Sequence, residues 1–261
     1  MNKLDVKTPE EIKTMADGGE RLAEVREMLR GAVKAGVTAA EIEKMAVENI
    51  KRLGGKPSFT TVPGYHWATC VNINDGVVHG IPKPSIKFKK GDLVSVDVGM
   101  YYNGFHTDTS FSVVVGQNKE LERFLEIGKE ALNKAIKSAK IGNTIGDISA
   151  AFDSVFDKYE NITAIHSLTG HGVGRELHED PYVPCYVSGT EHEAIKIVEG
   201  MTLAIEIMYA KGSGKVKVES DGWTISTRDA KIAALFEETV AVSSHGPIIL
   251  TRYDKNSKHK S

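Results

Sequence analysis

Gly91-Asp92-Leu93-Val94-Ser95-Val96-Asp97-Val98-Gly99-Met100-Tyr101-Tyr102-Asn103-Gly104-Phe105-His106-Thr107-Asp108-Thr109-Ser110-Phe111 is the stretch from which the fold can be read. Two β-rich runs flank Asn103-Gly104, a dipeptide suited to a two-residue hairpin turn with positive φ at both positions. Antiparallel pairing about that turn sets Asp108 opposite Gly99 and on the same face as Asp97. The two carboxylates are then diagonal neighbours, with Cα atoms roughly 7 to 8 Å apart. Val94, Val96, Val98, Phe111, Val113 and Val115 make the rest of the hairpin apolar. A buried like-charge pair calls for a compensating cation. The competing reading is a pair of aspartates on the solvated face of a two-sided hairpin, and the pair by itself does not decide between the two.

Further along, Gly200-Met201-Thr202-Leu203-Ala204-Ile205-Glu206 aligns with Gly91 to Asp97, a glycine again preceding a carboxylate by six positions. Two strands can match in this way by chance, so the repeat gains weight only from its chemistry. Leu203, Ile205 and Ile207 share one face of that run, which leaves Glu206 on the other with Thr202, Ala204 and Met208. Glu237, between Ala233-Ala234-Leu235-Phe236 and Thr239-Val240, is likewise an acid inside an apolar strand.

The surrounding pattern runs helix, strand, helix, strand. Thr8-Pro9-Glu10-Glu11 and Thr38-Ala39-Ala40-Glu41 are capping boxes that open helices, the first running to about Arg30 and the second stopped by Gly54-Gly55. Asn74-Asp75-Gly76, between short β-prone runs over 71–78, predicts a second hairpin. Helical spacing returns from Leu121 to Ile136 and from the cap Thr144 to Phe156, and strands are expected near Ile162 and at 201–208, 223–226 and 233–242.

Composition narrows the function. Lys+Arg 33 against Asp+Glu 35 gives a formal net charge of -2, which argues against general attraction to nucleic acid or anionic membrane. Cys70 and Cys185 are too few for a disulfide framework, which fits a reducing cytoplasm. The first residues carry no signal-peptide pattern, and no window approaches the roughly 20 apolar residues of a membrane helix.

His171 lies in Thr169-Gly170-His171-Gly172-Val173-Gly174, where the flanking glycines are expected to let the backbone approach a ligand and leave the imidazole open. A phosphate loop is the rival, but neither GxGxxG nor GK[ST] is present. One imidazole with Asp97, Asp108, Glu206 and Glu237 is a hard donor set suited to Co, Mn, Fe(II) or Zn. Two ions about 3.5 to 4 Å apart would share bridging carboxylates, whereas a single divalent ion would leave excess negative charge.

Seven ordered segments extend the picture over nearly the whole chain: Asn74 to Pro82, Val96 to Gly99, Gly104 to Thr109, Gly170 to Gly174, Leu177 to Pro181, Ile205-Glu206, and Asp221 to Thr224. Together they resemble type I methionine aminopeptidase. That resemblance implies an α/β (α+β) pita-bread fold of two pseudo-symmetric halves, with a curved antiparallel sheet flanked by helices. It implies that Asp97 chelates one of two divalent ions, that His171 and Glu206 complete the other, and that Asp108 and Glu237 bridge. A water or hydroxide bridging the ions would attack the carbonyl of an initiator methionine, Glu206 would move protons, and His79 and His178 would bind the scissile amide and the developing oxyanion. Phe59, Tyr65, Cys70, Leu177 and Trp223 would line the methionine pocket.

The substrates implied are peptides and nascent proteins with a small second residue, met in the cytoplasm by a monomer in transient contact with the ribosome. Residues 1–254 would form one catalytic domain and 255–261 a polar, frayed tail. The chain departs from the family pattern at Ile207, where proline is common, and at Glu238, where histidine is common; strand alternation turns Glu238 to the other face, so it should not be a ligand. X-Pro-type aminopeptidases and prolidases of the same fold normally carry a large preceding domain, whereas here the first helix begins at Thr8. A metal-free interaction scaffold would be expected to have lost ligands.

Overall fold

The Thr8 hydroxyl accepts from the Glu11 amide while the Glu11 carboxylate accepts from the Thr8 amide, and with Pro9 at the first position this starts α1 (Pro9–Ala32). The same reciprocal pair at Thr38 and Glu41 starts α2 (Ala39–Arg52). Asn118 caps α3 (Lys119–Ser138), and Asp147 accepts from the Thr144 amide at the head of α4 (Ile145–Phe156). This is a computed structural model that describes residues 4–254; residues 255–261, expected to fray, lie outside the described residues, as do 1–3.

The strands in chain order are β1 (Lys56–Pro57), β2 (Thr69–Ile73), β3 (Gly76–Val78), β4 (Leu93–Tyr102), β5 (Phe105–Val114), β6 (Ile162–Ala164), β7 (Thr169–Gly172), β8 (Glu179–Pro184), β9 (Thr202–Lys211), β10 (Val216–Val218), β11 (Ile225–Thr227), β12 (Ala233–Ser243) and β13 (Gly246–Ile249). Among the described residues the large antiparallel sheet runs β1-β4-β5-β12-β9-β7-β8, with β2 also on β4, β6 on β9 and β13 on β12. A small sheet, β10-β11-β3, stands apart from it.

The β4–β5 hairpin has the register its turn dictates. Gly99 faces Asp108, and Asn103 and Gly104 both take positive φ, 47° and 95°. The hairpin expected over 71–78 does not form. The chain turns at Asn74, φ 55°, but β2 pairs with β4 while β3 leaves for the small sheet and pairs with β11. Long strands won this competition: β4 offers β2 five paired positions, whereas β3 is only three residues long.

The repeated heptapeptide belongs to a real duplication. Thr38 at the head of α2 bridges Lys87, and Thr144 at the head of α4 bridges Lys196. Each lysine is followed at equal spacing by a positive-φ glycine, Gly91 or Gly200, and then by a carboxylate at the fifth position of its strand, Asp97 in β4 or Glu206 in β9. Val94, Val96 and Val98 pack with Leu22, Leu29, Ile42 and Ile50 of α1 and α2, while Leu203, Ile205 and Ile207 join Phe124, Leu132, Ile148 and Phe152 of α3 and α4. Alternation then sends Asp97 and Glu206 to the uncovered face.

Helix α1 lies close enough to its neighbours that a Cβ on Gly19 would stand 2.4 Å from the Leu250 carbonyl oxygen. Backbone cannot yield as a flexible side chain can, so Gly19→Ala should destabilise the fold by about 1 to 3 kcal/mol. Urea unfolding reads this directly, and an unchanged midpoint would mean that α1 is not seated so tightly.

A candidate metal centre on the open face of the sheet

Four strands carry one row of residues across the sheet. Cys70 of β2 pairs with Asp97, Asp97 with Ser110 of β5, Ser110 with Glu237 of β12, and Glu237 with Glu206 of β9. Directly opposed residues share a face, so three carboxylates stand in line. Asp108, two residues from Ser110, joins them from the next row. His171 faces Ala204, two residues from Glu206, and enters from the far side.

The centre is graded in depth. Asp108, His171 and Glu237 are buried, at 4%, 5% and 2% exposure, whereas Asp97 and Glu206 are half-buried at its flanks. One ligand atom from each of Asp108, His171 and Glu237 lies within 4.8 Å of the others. His171 Nε2 is 3.8 Å from Glu206 Oε1, and its Nδ1 is 2.8 Å from the Gly172 carbonyl oxygen, which leaves Nε2 free to coordinate. Asp97 Oδ1 is buried without a hydrogen-bond partner among the described residues.

The electrostatics suit a site that takes up a cation. Burial raises the pKa of Asp97, Glu206 and Glu237 well above the ordinary carboxylate range, and repulsion among the acids adds to it. Asp108 is pushed up to about 7 by burial. Burial and then neighbouring His178 drive His171 down to about 3, so its imidazole is neutral and able to ligate. An orphaned carboxylate oxygen, crowded acids and a neutral imidazole fit a divalent cation, whose charge would reverse the shifts of the acids.

These residues floor a cavity of about 290 Å³ that also takes in Phe59, Tyr65, Cys70, His79, Leu177, His178 and Trp223. One wall is apolar: Phe59, Tyr65, Cys70 and Leu177 cluster with Val62, Trp67 and Trp223. The Tyr65 ring meets those of Phe59, Trp67 and Trp223 edge-on, and its hydroxyl donates to the Thr69 carbonyl at 2.8 Å. Asp221 accepts from the Trp223 and Thr224 amides, an anchoring role that the bare motif Asp221 to Thr224 does not reveal. His79, at φ 56°, and His178 keep exposed edges toward the cavity, and the His178 ring stands 4.5 Å from that of His171.

Two features differ from expectation or were absent from it. The glycines beside His171 serve strand packing: a Cβ at Gly170 would lie 2.5 Å from the Ala204 carbonyl oxygen, and one at Gly172 would lie 2.5 Å from that of Asp180. The segment forms strand β7, in keeping with the rejection of a phosphate loop there. Ser167, Leu168, Thr169, Tyr182 and Met208 form a further wall. Only Met208 was signalled by alternation from Glu206; Ser167 and Leu168 reach the cavity from the segment just before β7, Thr169 from β7 and Tyr182 from β8, placed there by long-range pairing of β7 to β9. Glu238 does turn away, to Arg26 Nη1 at 2.7 Å on the helix side.

A duplicated α/β sheet with an acid and imidazole floor beneath a cavity offers a divalent-metal site, and comparison with known proteins puts the chain among metal-dependent hydrolases. The profile of metallopeptidase family M24 matches residues 13–244. A methionine aminopeptidase of Clostridium acetobutylicum is 37% identical, over 94% of this chain and 98% of its own. The crystal structure of the Thermotoga maritima methionine aminopeptidase superposes with TM-score 0.91 at 39% identity, covering 96% of this chain and all of that one. A Pyrococcus furiosus prolidase shares the fold at TM-score 0.72, and the match covers 66% of that longer chain. The chain belongs to metallopeptidase family M24.

The raised acids predict an unusual pH response. Between about pH 7 and 8.5 the metal-free native state holds carboxyl protons that an unfolded chain, with carboxyl pKa near 4, has already lost. The unfolded state then binds fewer protons, so stability falls as pH rises. His79, His106, His171 and His178, with lowered native pKa values, oppose this near pH 7, where an unfolded histidine of pKa about 6.5 is still about a quarter protonated, and contribute little above about pH 7.5. Chelator-treated protein should therefore melt at lower temperature at pH 8.5 than at about pH 7.5, and a saturating divalent ion should flatten the trend. A rise in melting temperature over that range without metal would contradict the charge distribution described.

Proposed function

We propose that this chain is a methionine aminopeptidase that hydrolyses the initiator methionine from peptides and nascent proteins with a small second residue, using two divalent ions. The observation that carries the reading is the row of acids with His171, set one strand away from an apolar recess at Cys70. In this reading Asp97, Asp108, His171, Glu206 and Glu237 would together hold the ions. Bound ions would supply a Lewis acid for the scissile carbonyl and a water acidified to near neutrality. Co, Mn, Fe(II) and Zn all suit this donor set, and availability selects among them.

The protein groups do the rest. Phe59, Tyr65, Cys70, Leu177 and Trp223 take the flexible thioether side chain and exclude water from it. Glu206, half-buried and at the edge of the cavity, is placed to carry a proton from the attacking water toward the leaving amine. His79 and His178, held neutral at pH 7 by their lowered pKa values, each keep an N–H donor for the substrate carbonyl and its developing negative charge.

The test is reconstitution. Chelator-stripped protein, supplied separately with Co, Mn, Fe(II) or Zn, should release methionine from a Met-Ala-Ser peptide with at least one of them; no release with any would overturn the proposal. Glu206→Ala should lower turnover by about 10²- to 10⁴-fold while the protein stays folded by circular dichroism. Unchanged turnover would reassign the proton carrier.

A further inference from the structure

The loop that carries Leu177 and His178 is pinned by a segment far away in sequence. Lys7, just ahead of α1, has a side chain with 0% exposure and an ion pair to Glu179, the residue after His178. The other Glu179 oxygen, Oε1, accepts from the Glu176 amide at 3.1 Å, so this carboxylate closes the loop on itself. Lys7 Nζ also donates to the Asp5 carbonyl at 3.0 Å, and the Lys7 amide donates to the Gly200 carbonyl at 2.8 Å, which ties the strap to the start of β9. At the other end of the loop, Arg175 pairs with Asp5 and Glu11. A Cβ at Gly174 would fall 2.2 Å from Lys7 Cε, so the strap and loop lie in direct contact.

A buried ammonium is tolerated only with a well-placed partner. Here that partner lies one residue from an imidazole facing the cavity. The metal-binding candidates stand on strands, whereas His178 is the last loop residue before β8; the sheet fixes Glu179, which pairs with Gly172, but not the course of the residues leading up to it.

We infer that Lys7 is a positioning residue for His178: through Glu179 at the head of β8 it holds the 175–178 loop so that the imidazole faces the substrate carbonyl. This rests on the reading of His178 given under the proposed function and adds to it a residue that touches neither substrate nor metal. The strap sets the geometry, and a donor shifted by about an ångström loses much of its effect on the developing charge.

The experiment compares wild type, Lys7→Met, His178→Ala and the combination of the two by amide hydrogen exchange and by methionine-peptide kinetics with the best metal. Because Lys7→Met strands a buried carboxylate, Lys7→Met with Glu179→Gln, which leaves no buried charge, is included as a variant that folds without the clamp. Exchange at amides 175–178 should rise on the order of tenfold in the folded clamp variants while the strands stay protected. Their kcat should fall about ten- to a hundredfold, with metal affinity by calorimetry unchanged. Lys7→Met should add nothing further in the His178→Ala background. Unchanged loop exchange would overturn the inference, as would wild-type kcat in the clamp variants, or full additivity with His178→Ala, which would mark Lys7 as merely structural. If no protein releases methionine yet loop exchange rises, the clamp on the loop stands and the proposed function falls.

Discussion

Four carboxylates on adjoining strands repel one another, and burial strengthens that repulsion. Asp97, Asp108, Glu206 and Glu237 would move apart if their backbones were free. They are held by pairing to neighbours on both sides: β5 lies between β4 and β12, and β12 lies between β5 and β9. The opposite face supplies the opposing force, with Val94, Val96 and Val98 under one pair of helices and Leu203, Ile205 and Ile207 under the other. Apolar packing on one side of the sheet therefore holds unfavourable charge on the other until a cation offsets it.

The duplication makes this arrangement economical. The two halves meet at β5 and β12, so each contributes a flanking acid, Asp97 or Glu206, and a deep one, Asp108 or Glu237. Beyond that seam the halves diverge. Next to Asp97 the outer strand offers Cys70 and the apolar recess; near Glu206 the outer strand offers His171. A symmetric floor thus acquires one side suited to an apolar side chain and another suited to finishing a metal site.

The proposed function also draws on parts the sheet does not hold. His79 and His178 stand on loops, and each loop is tied by a side chain of its own. Asn72 Oδ1 accepts from the Gly80 amide at 3.0 Å, and Glu179 accepts from the Glu176 amide. Trp223 is set by Asp221 in the same manner. Polar residues near the cavity that contact no substrate in the proposed reading still bear on it, because they fix where the contacting residues point.

What was legible in the residues was local or periodic. Asn103-Gly104 determined a register, alternation assigned Asp97, Glu206 and Glu238 to faces, and three Thr-initiated caps marked helix starts, because each rests on interactions a few residues long. The site as a set could be named by resemblance, but its assembly could not be derived from those local rules. The fate of β2 was decided by β4, which outcompeted a nearby turn signal. The glycines around His171 took their meaning from carbonyl groups of Ala204 and Asp180, one of them over thirty positions away. Lys7 reads as an ordinary surface lysine until Glu179 closes on it from the other end of the chain. Sequence by itself determined which faces carry charge and where chains turn; only tertiary structure decided which charges meet, since long-range pairing is won by competition among strands that no local pattern records.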